Sequence, residues 1–290
     1  MMKKTALIVC FLLSLVLISP TTQAQKKSKQ PLNILMIGNS YSARLNKVLP
    51  PMFKADTQFN THIKFITPGG RRLVQHVTNP KTLEAIKSKD QRWHVVVLQD
   101  QSQTPGLAMA KGGEALKALE QGGPALIRLI RKHQPQAKII LYATWARHKT
   151  PDKFQTLKKM FDNDPKVMLK HTTAGYERIL KKEGQGGWDF SKHTRLARVG
   201  EAWMQWYDKV GYENQSLSLH SKDSSHQSHL GAYFASAVLY AAATGKDVRQ
   251  LKYDAGIKTK YQGKLVTHHL KNIAHQIEAR SKPKKTARAK

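Results

Sequence analysis

The stretch Leu32–Ser42, LNILMIGNSYS, decides how the chain is read. A nearly continuous apolar run ends in Gly38, Asn39 and Ser40. Such runs suit strands of a parallel sheet covered on both faces. A strand of this kind that opens into a small polar turn delivers a side chain to the sheet's carboxyl edge, where open α/β sheets bind ligands. Ser40 is therefore the first candidate functional residue, as a hydroxyl nucleophile. Its best partners lie far along the chain, in Asp223-Ser224-Ser225-His226.

Working outward, the same pattern recurs. His62–Ile66 reads as a second strand and runs into Thr67-Pro68-Gly69-Gly70. Trp93–Leu98, WHVVVL, is a third and opens into Gln99-Asp100-Gln101-Ser102. Lys138–Tyr142 is a fourth, ending at Ala143–Arg147, and Leu196–Val199 is a short fifth ending at Gly200. Helical spacing fills the intervals. Ala43–Lys54 reads as a helix ended near Pro50-Pro51, and Glu114–His133 as one broken at Gly122-Gly123-Pro124. Phe154–Lys182 reads as a helical region interrupted at Asp164-Pro165, followed later by Glu201–Lys209, Leu230–Ala243 and Lys264–Arg280. Gly245 suits the end of the small-residue helix. Strands alternating with helices predict an α/β fold with a mostly parallel sheet and helices on both faces. There is no internal repeat, and residues 32–279 read as one domain.

The ends of the chain suggest an address. Lys3 and Lys4 precede a short apolar run, Ala6–Ile18, and Thr22-Gln23-Ala24 places small residues at a cleavage site. Residues 1–24 are expected to be a signal peptide and 25–31 a linker, so the protein is expected to be exported, to the periplasm or beyond the cell. No other stretch is apolar for long enough to span a bilayer. The single cysteine, Cys10, lies in the apolar run, so the processed chain would have no disulfide, no thiolate nucleophile and no cysteine–zinc site.

The 290 residues hold 49 Lys and Arg against 19 Asp and Glu, a formal charge of +30. A field of that sign draws anionic partners: an anionic glycan, a cell surface, or nucleic acid. Residues 280–290 are basic without an acid and read as a disordered tail. No nucleic-acid recognition motif, phosphate loop or dinucleotide fingerprint is present, so no specific nucleic acid and no cofactor is expected.

In a parallel sheet the turns after the first three strands meet at one edge. They bring together a hydroxyl, glycine amides and carboxamide side chains, the parts that acyl transfer requires. A serine hydroxyl needs a base to take its proton. His226 supplies one, and Asp223, three residues earlier, can orient the ring and stabilise its charged form. Each feature alone has an ordinary structural reading: a serine after a strand caps helices, and so does an Asp-Ser-Ser-His turn. The order of all of them on this strand pattern carries the functional reading. His220, Asp223, His226 and His229 also recur every three residues, a spacing that could present metal ligands on a helix. Residues 221–228, however, are serine-rich and read as a turn, so no metal site is expected.

With these blocks in view, the chain resembles the SGNH/GDSL hydrolases. GNSYS after the first strand and DSSHQSHLGAYFASAVLYAAATG near the end carry the resemblance most strongly. TPGGRRL, VVVLQDQS, ATWAR and RVGEAW resemble a bacterial branch with a Leu-Gln motif in place of the Gly-x-Asn-Asp block. The resemblance implies a three-layer, flavodoxin-like α/β/α sandwich on a five-stranded sheet, and ester hydrolysis through an acyl-enzyme. It implies Ser40 as nucleophile, His226 as base and Asp223 as its support, with the amides of Ser40 and Gly70 facing the oxyanion. Asn39 stands where many members have Asp. The third block lacks Asn, so Gln99 or Gln101 must supply the third oxyanion donor: register against Gly-x-Asn points to Gln101, the Leu-Gln branch to Gln99, and Gln99 is the expectation adopted. The implied substrate is an acylated small molecule or glycan, with an O-acetyl carbohydrate the simplest case. Arg71, Trp145 and Arg147 are its candidate contacts, while Trp203 and Trp206 read as helix packing. The alternative is a non-catalytic protein of the same fold that binds anionic polysaccharide or another surface polyanion.

Overall fold

The computed structural model describes residues 28–150, 155–181, 190 and 194–281. The expected signal peptide, residues 25–27 of the expected linker and the tail after residue 281 lie outside the described residues. Five strands, β1 (Gln30–Ile37), β2 (Phe59–Ile66), β3 (Val95–Leu98), β4 (Lys138–Ala143) and β5 (Thr194–Arg198), form one sheet in the order β2-β1-β3-β4-β5. Every pairing in it is parallel. β1 begins two residues earlier than the apolar run, because Gln30 and Pro31 pair with Phe59 and Asn60 of β2; they belong to the sheet and not to a linker.

The alternation of side chains along a strand sends successive residues to opposite faces. Ile34, Met36, Val95, Val97, Ile140 and Tyr142 point into one core. It is closed by the helices Leu49–Lys54, Val199–Val210, His229–Thr244 and Val266–Ser281. Leu35, Ile37, Val96, Leu98, Ile139 and Leu141 point into the other, closed by Leu73–His76, Pro80–Lys87, Gly113–His133 and Pro165–Leu180. Both registers of the central strands are apolar because both faces are covered, which gives the expected three-layer α/β/α sandwich.

Several boundaries differ from the sequence reading for identifiable reasons. Pro50 and Pro51 open the helix Leu49–Lys54 at its first positions, where a missing N–H costs nothing, and do not end one. Gly122-Gly123-Pro124 does not break its helix, which is continuous over Gly113–His133. The glycines there serve close packing: a Cβ on Gly122 would lie 2.3 Å from the Val74 amide nitrogen, and one on Gly123 would meet Ile179. Asp164 does mark an interruption, its side chain capping Pro165–Leu180 through the Lys166 amide. A two-stranded hairpin, Lys260–Tyr261 with Lys264–Leu265, precedes the last helix and was not expected. No helix among the described residues is long and apolar enough to cross a membrane.

Candidate active site

The turns after β1, β2 and β3 leave the sheet at one edge. The ladder continues one residue past β1 and β3, with Gly38 N–H donating to the Ile66 carbonyl and Gln99 N–H to the Ile37 carbonyl. After Gly38, Asn39 caps the short helix Ser40–Ala43 by accepting from the Tyr41 amide, which places Ser40 in its first turn. The Asn39 side chain also donates to the Arg71 carbonyl at 3.0 Å and so ties this turn to the glycine turn after β2.

Residues 220–227 do not form a helix. His220 and Gln227 make an antiparallel bridge, Ser221 N–H donates to the His226 carbonyl, and Ser224 takes a left-handed conformation at φ 58°. In this closed loop the Asp223 Oδ1 accepts from the amides of Ser225 and His226 and from the Ser221 hydroxyl. Its Oδ2 lies 2.7 Å from His226 Nδ1. On the other side of the ring, His226 Nε2 is 2.8 Å from Ser40 Oγ. An ionised carboxylate only accepts, so the Nδ1 proton faces Asp223 and Nε2 accepts from the Ser40 hydroxyl. The structure thus brings together Ser40, His226 and Asp223.

The charge states suit that relay. Burial pushes the Asp223 pKa up, but the hydrogen bonds from the amide and ring of His226, from Ser225 and from Ser221 outweigh it and hold the carboxyl well below the usual range. His226 is pulled below its ordinary value by burial, with Arg44 and Arg147 adding to the effect against the Asp223 hydrogen bond. At neutral pH the pair is a carboxylate and a neutral imidazole.

The three residues open onto a cavity of about 370 Å³, lined also by Asn39, Tyr41, Gly70, Gln101, Ser102, Arg147 and Ser225. Gly70 has φ 68°, the left-handed turn that glycine adopts without strain. The two glutamines part company here. Gln99 is fully buried; its Oε1 accepts from the Asn39 amide and the Ser42 hydroxyl, and its Nε2 donates to the Asp100 carbonyl. It sits behind Gly38, where a Cβ would lie 2.7 Å from its Oε1, and the expectation that it faces the cavity is corrected. Gln101 lines the cavity instead. Its Oε1 accepts from the amides of Gln103 and Thr104, and among the described residues its Nε2 has no acceptor.

The candidate substrate contacts also separate. Arg147 lines the cavity, buried, with Nη2 donating to Ser102 Oγ at 3.4 Å. Arg71 is exposed beside the glycine turn, and the site uses its carbonyl. Trp145 is not a platform. It is buried between Tyr41 and Trp203, with ring centroids 4.6 and 3.9 Å away and nearly parallel planes. Trp203 and Trp206 are core residues, as read from their helix.

Residues that the sequence reading passed over, together with Trp145, which it read as a substrate contact, hold the site in place. Tyr41 Oη and Trp145 Nε1 both donate to the Ser225 carbonyl, next to His226, at 2.7 and 2.9 Å. Gln227 returns a bond to the Tyr41 carbonyl. His76, buried and pulled below its ordinary pKa by burial, lies 2.9 Å from both the Gly38 carbonyl and Thr82 Oγ1. The only sequence signal for these was an aromatic inside GNSYS and a histidine on an apolar face. His220 faces away from the cavity, bonded to Tyr207 and Ala146 and lowered to about 3 by burial. His229 bonds to the Ala255 carbonyl. Among the described residues no group of His, Cys, Asp or Glu is arranged to hold a metal ion.

The sheet order, the two covered faces and the position of the serine and histidine loops define the SGNH hydrolase fold, an α/β sandwich of flavodoxin-like strand order. Solved structures share it at low identity. A DUF4886 family protein from Bacteroides uniformis superposes with a TM-score of 0.65 at 16% identity, covering 85% of this chain and 94% of its own. A protein from Slackia heliotrinireducens ascribed to the SGNH hydrolases superposes with a TM-score of 0.53 at 20% identity, covering 72% of this chain and 97% of its own. No family model matches the chain, and no curated protein matches it.

Proposed function

We propose that the protein is a serine ester hydrolase that removes an O-acyl group, O-acetyl in the simplest case, from a carbohydrate or related alcohol. The observation that carries this reading is the unbroken relay Ser40 Oγ–His226 Nε2, His226 Nδ1–Asp223 Oδ2 at 2.8 and 2.7 Å, opening onto a cavity. The likeness to a protein ascribed to the SGNH hydrolases supports it at the level of fold.

In this reading Ser40 Oγ attacks the ester carbonyl carbon as its proton passes to His226 Nε2. Asp223 stabilises the imidazolium. The carbonyl oxygen gains the negative charge and meets the amides of Ser40 and Gly70 and the Gln101 carboxamide. Collapse expels the alcohol, which takes the proton from His226 and leaves an acyl-serine. Water, deprotonated by the same histidine, then attacks that ester and releases the acid and the free serine. No cofactor enters. We also propose that the protein is exported with removal of residues 1–24, as the basic start, apolar run and small-residue site of the sequence suggest; the intact mass of the secreted protein tests it.

The test is hydrolysis of p-nitrophenyl acetate and of acetylated glycans by wild type beside Ser40→Ala. Turnover by wild type with loss in the variant supports the reading. Glycan binding retained by both, with turnover by neither, supports the polyanion-binding alternative.

A further inference from the structure

A second hollow, about 290 Å³, opens beside the catalytic cavity, and the two share Gln101 and Arg147 as a wall. Its other lining residues are Gln103 and Leu107 on one side, and Thr156, Lys159 and Met160 on the other. It lies between the helices Thr104–Lys111 and Thr156–Met160. The two sides are tied together by Gln103 Nε2, which donates to Thr156 Oγ1 at 3.0 Å. Leu157 and Phe161 turn inward to a small core, against which Leu107 packs. Lys159 and Met160, between them in sequence, are left exposed.

Met160 is the one large apolar side chain exposed among the described residues, at 40%. Only the shared wall separates its hollow from the cavity at Ser40 and His226. With Leu107 it gives the hollow an apolar part, and the rest of the lining is polar. Gln103 Oε1 accepts from no group among the described residues, and the Lys159 ammonium makes no ion pair among them.

That mixture selects between two kinds of occupant. An alkyl chain would suit Met160 and Leu107 but would take the Gln103 carboxamide and the Lys159 ammonium out of water without a partner, which is costly. A pyranose ring presents C–H groups on its face and hydroxyls at its edge. It can cover the thioether and return a hydrogen bond to each polar group.

Resting on the ester-hydrolase reading above, we propose that the second hollow is a subsite for a sugar unit, so that the substrate is an acylated oligo- or polysaccharide. The unit that carries the ester occupies the cavity at Ser40. Its neighbour in the chain occupies the hollow against Leu107 and Met160, with Gln103 and Lys159 on its hydroxyls. Binding energy gathered there, away from the reacting atoms, holds the ester carbonyl in place for Ser40 Oγ and is read in kcat/KM.

Methyl glycosides of glucose, xylose and galactose test this, each beside its β-1,4-linked disaccharide and monoacetylated at the matching hydroxyl. p-Nitrophenyl acetate and butyrate serve as sugar-free esters. In at least one pair the disaccharide should exceed the monosaccharide in kcat/KM by about tenfold or more. Lys159→Ala combined with Met160→Ser, both at exposed positions, should bring that ratio close to one and leave p-nitrophenyl acetate turnover unchanged. Met160→Leu, which keeps the apolar contact, should retain most of the ratio. Cleavage of p-nitrophenyl acetate with no disaccharide preferred in any pair, or a preference that survives the double variant, overturns the proposal and leaves the esterase reading intact. A preference for butyrate over acetate that the double variant abolishes also overturns it, and makes the hollow an acyl pocket. If no ester is cleaved, the esterase reading fails instead. Calorimetric titration of Ser40→Ala with the unacetylated glycosides and disaccharides then decides the subsite by itself, and equal affinity within every pair overturns it.

Discussion

Ser40 Oγ and His226 Nε2 lie 2.8 Å apart although 186 residues separate them in the chain. The contact is held from below. Tyr41, next to the serine, donates to the carbonyl of Ser225, next to the histidine, and Gln227 donates back to the Tyr41 carbonyl. The two loops are thus bonded to each other independently of the Ser–His pair, so removing either of those side chains should leave the site standing.

Ser40→Ala and His226→Ala should each lower kcat on p-nitrophenyl acetate by about 10⁴-fold or more, with near-UV circular dichroism unchanged. Because the two act as a unit, the double variant should be little worse than either single one. Wild-type rates in either variant would remove the relay from the mechanism.

Asp223→Asn should keep the loop, since its side-chain oxygen can still accept from the amides of Ser225 and His226. Its new N–H₂ would face His226 Nδ1 and favour the wrong tautomer. A kcat loss of roughly 10⁴-fold with Tm little changed is the expected result.

The pH profile is set by His226. Its base form is required, and its pKa is depressed by burial, Arg44 and Arg147 against the Asp223 bond. The acid limb of kcat/KM should therefore lie below pH 6.5, with activity lost as pH falls through it. Arg44→Gln removes one of the depressing charges, 3.8 Å from Asp223 Oδ2, and should move that limb upward. A limb that stays in place would detach it from His226.

The two glutamines should fail in different ways. Gln101→Ala removes a cavity-facing donor and should cost about 10²–10³-fold in kcat, with a smaller loss of stability because the amides of Gln103 and Thr104 that its Oε1 accepts from are only part-buried. Gln99→Ala leaves the Asn39 amide and the Ser42 hydroxyl without their acceptor. It should destabilise the fold by about 1–3 kcal/mol, read as a lowered urea midpoint. The reverse pattern would restore Gln99 as the oxyanion donor.

Asp100 should shape stability against pH. Burial raises its pKa to about 6, against the hydrogen bonds from Leu73 and Gln101 that favour the carboxylate. A carboxyl raised from its unfolded value stabilises the fold below that value, and the contribution is lost as pH rises through about 6. Asp100→Asn should remove this slope, worth on the order of 2 kcal/mol between about pH 4 and 8. Urea titrations of wild type and variant across that range would measure it.

The strand–helix alternation, the sandwich and the candidate trio Ser40, Asp223 and His226 were legible in the sequence because their signals are local. Apolar runs mark strands covered on both faces, Gly38-Asn39-Ser40 and Asp223–His226 carry their own turn chemistry, and the sheet's carboxyl edge gathers the turns that leave its parallel strands. Tertiary structure alone decided the rest. Gln99 and Gln101 are two residues apart, so strand periodicity puts them on the same face; the bend at Asp100, held by Leu73, turns one inward and the other to the cavity. Trp145 looked like a platform beside Arg147. Tyr41 and Trp203, from distant parts of the chain, bury it, while Arg147 two residues later joins the two hollows. A side chain's direction after a strand ends depends on what packs against it, and those neighbours come together only when the chain folds.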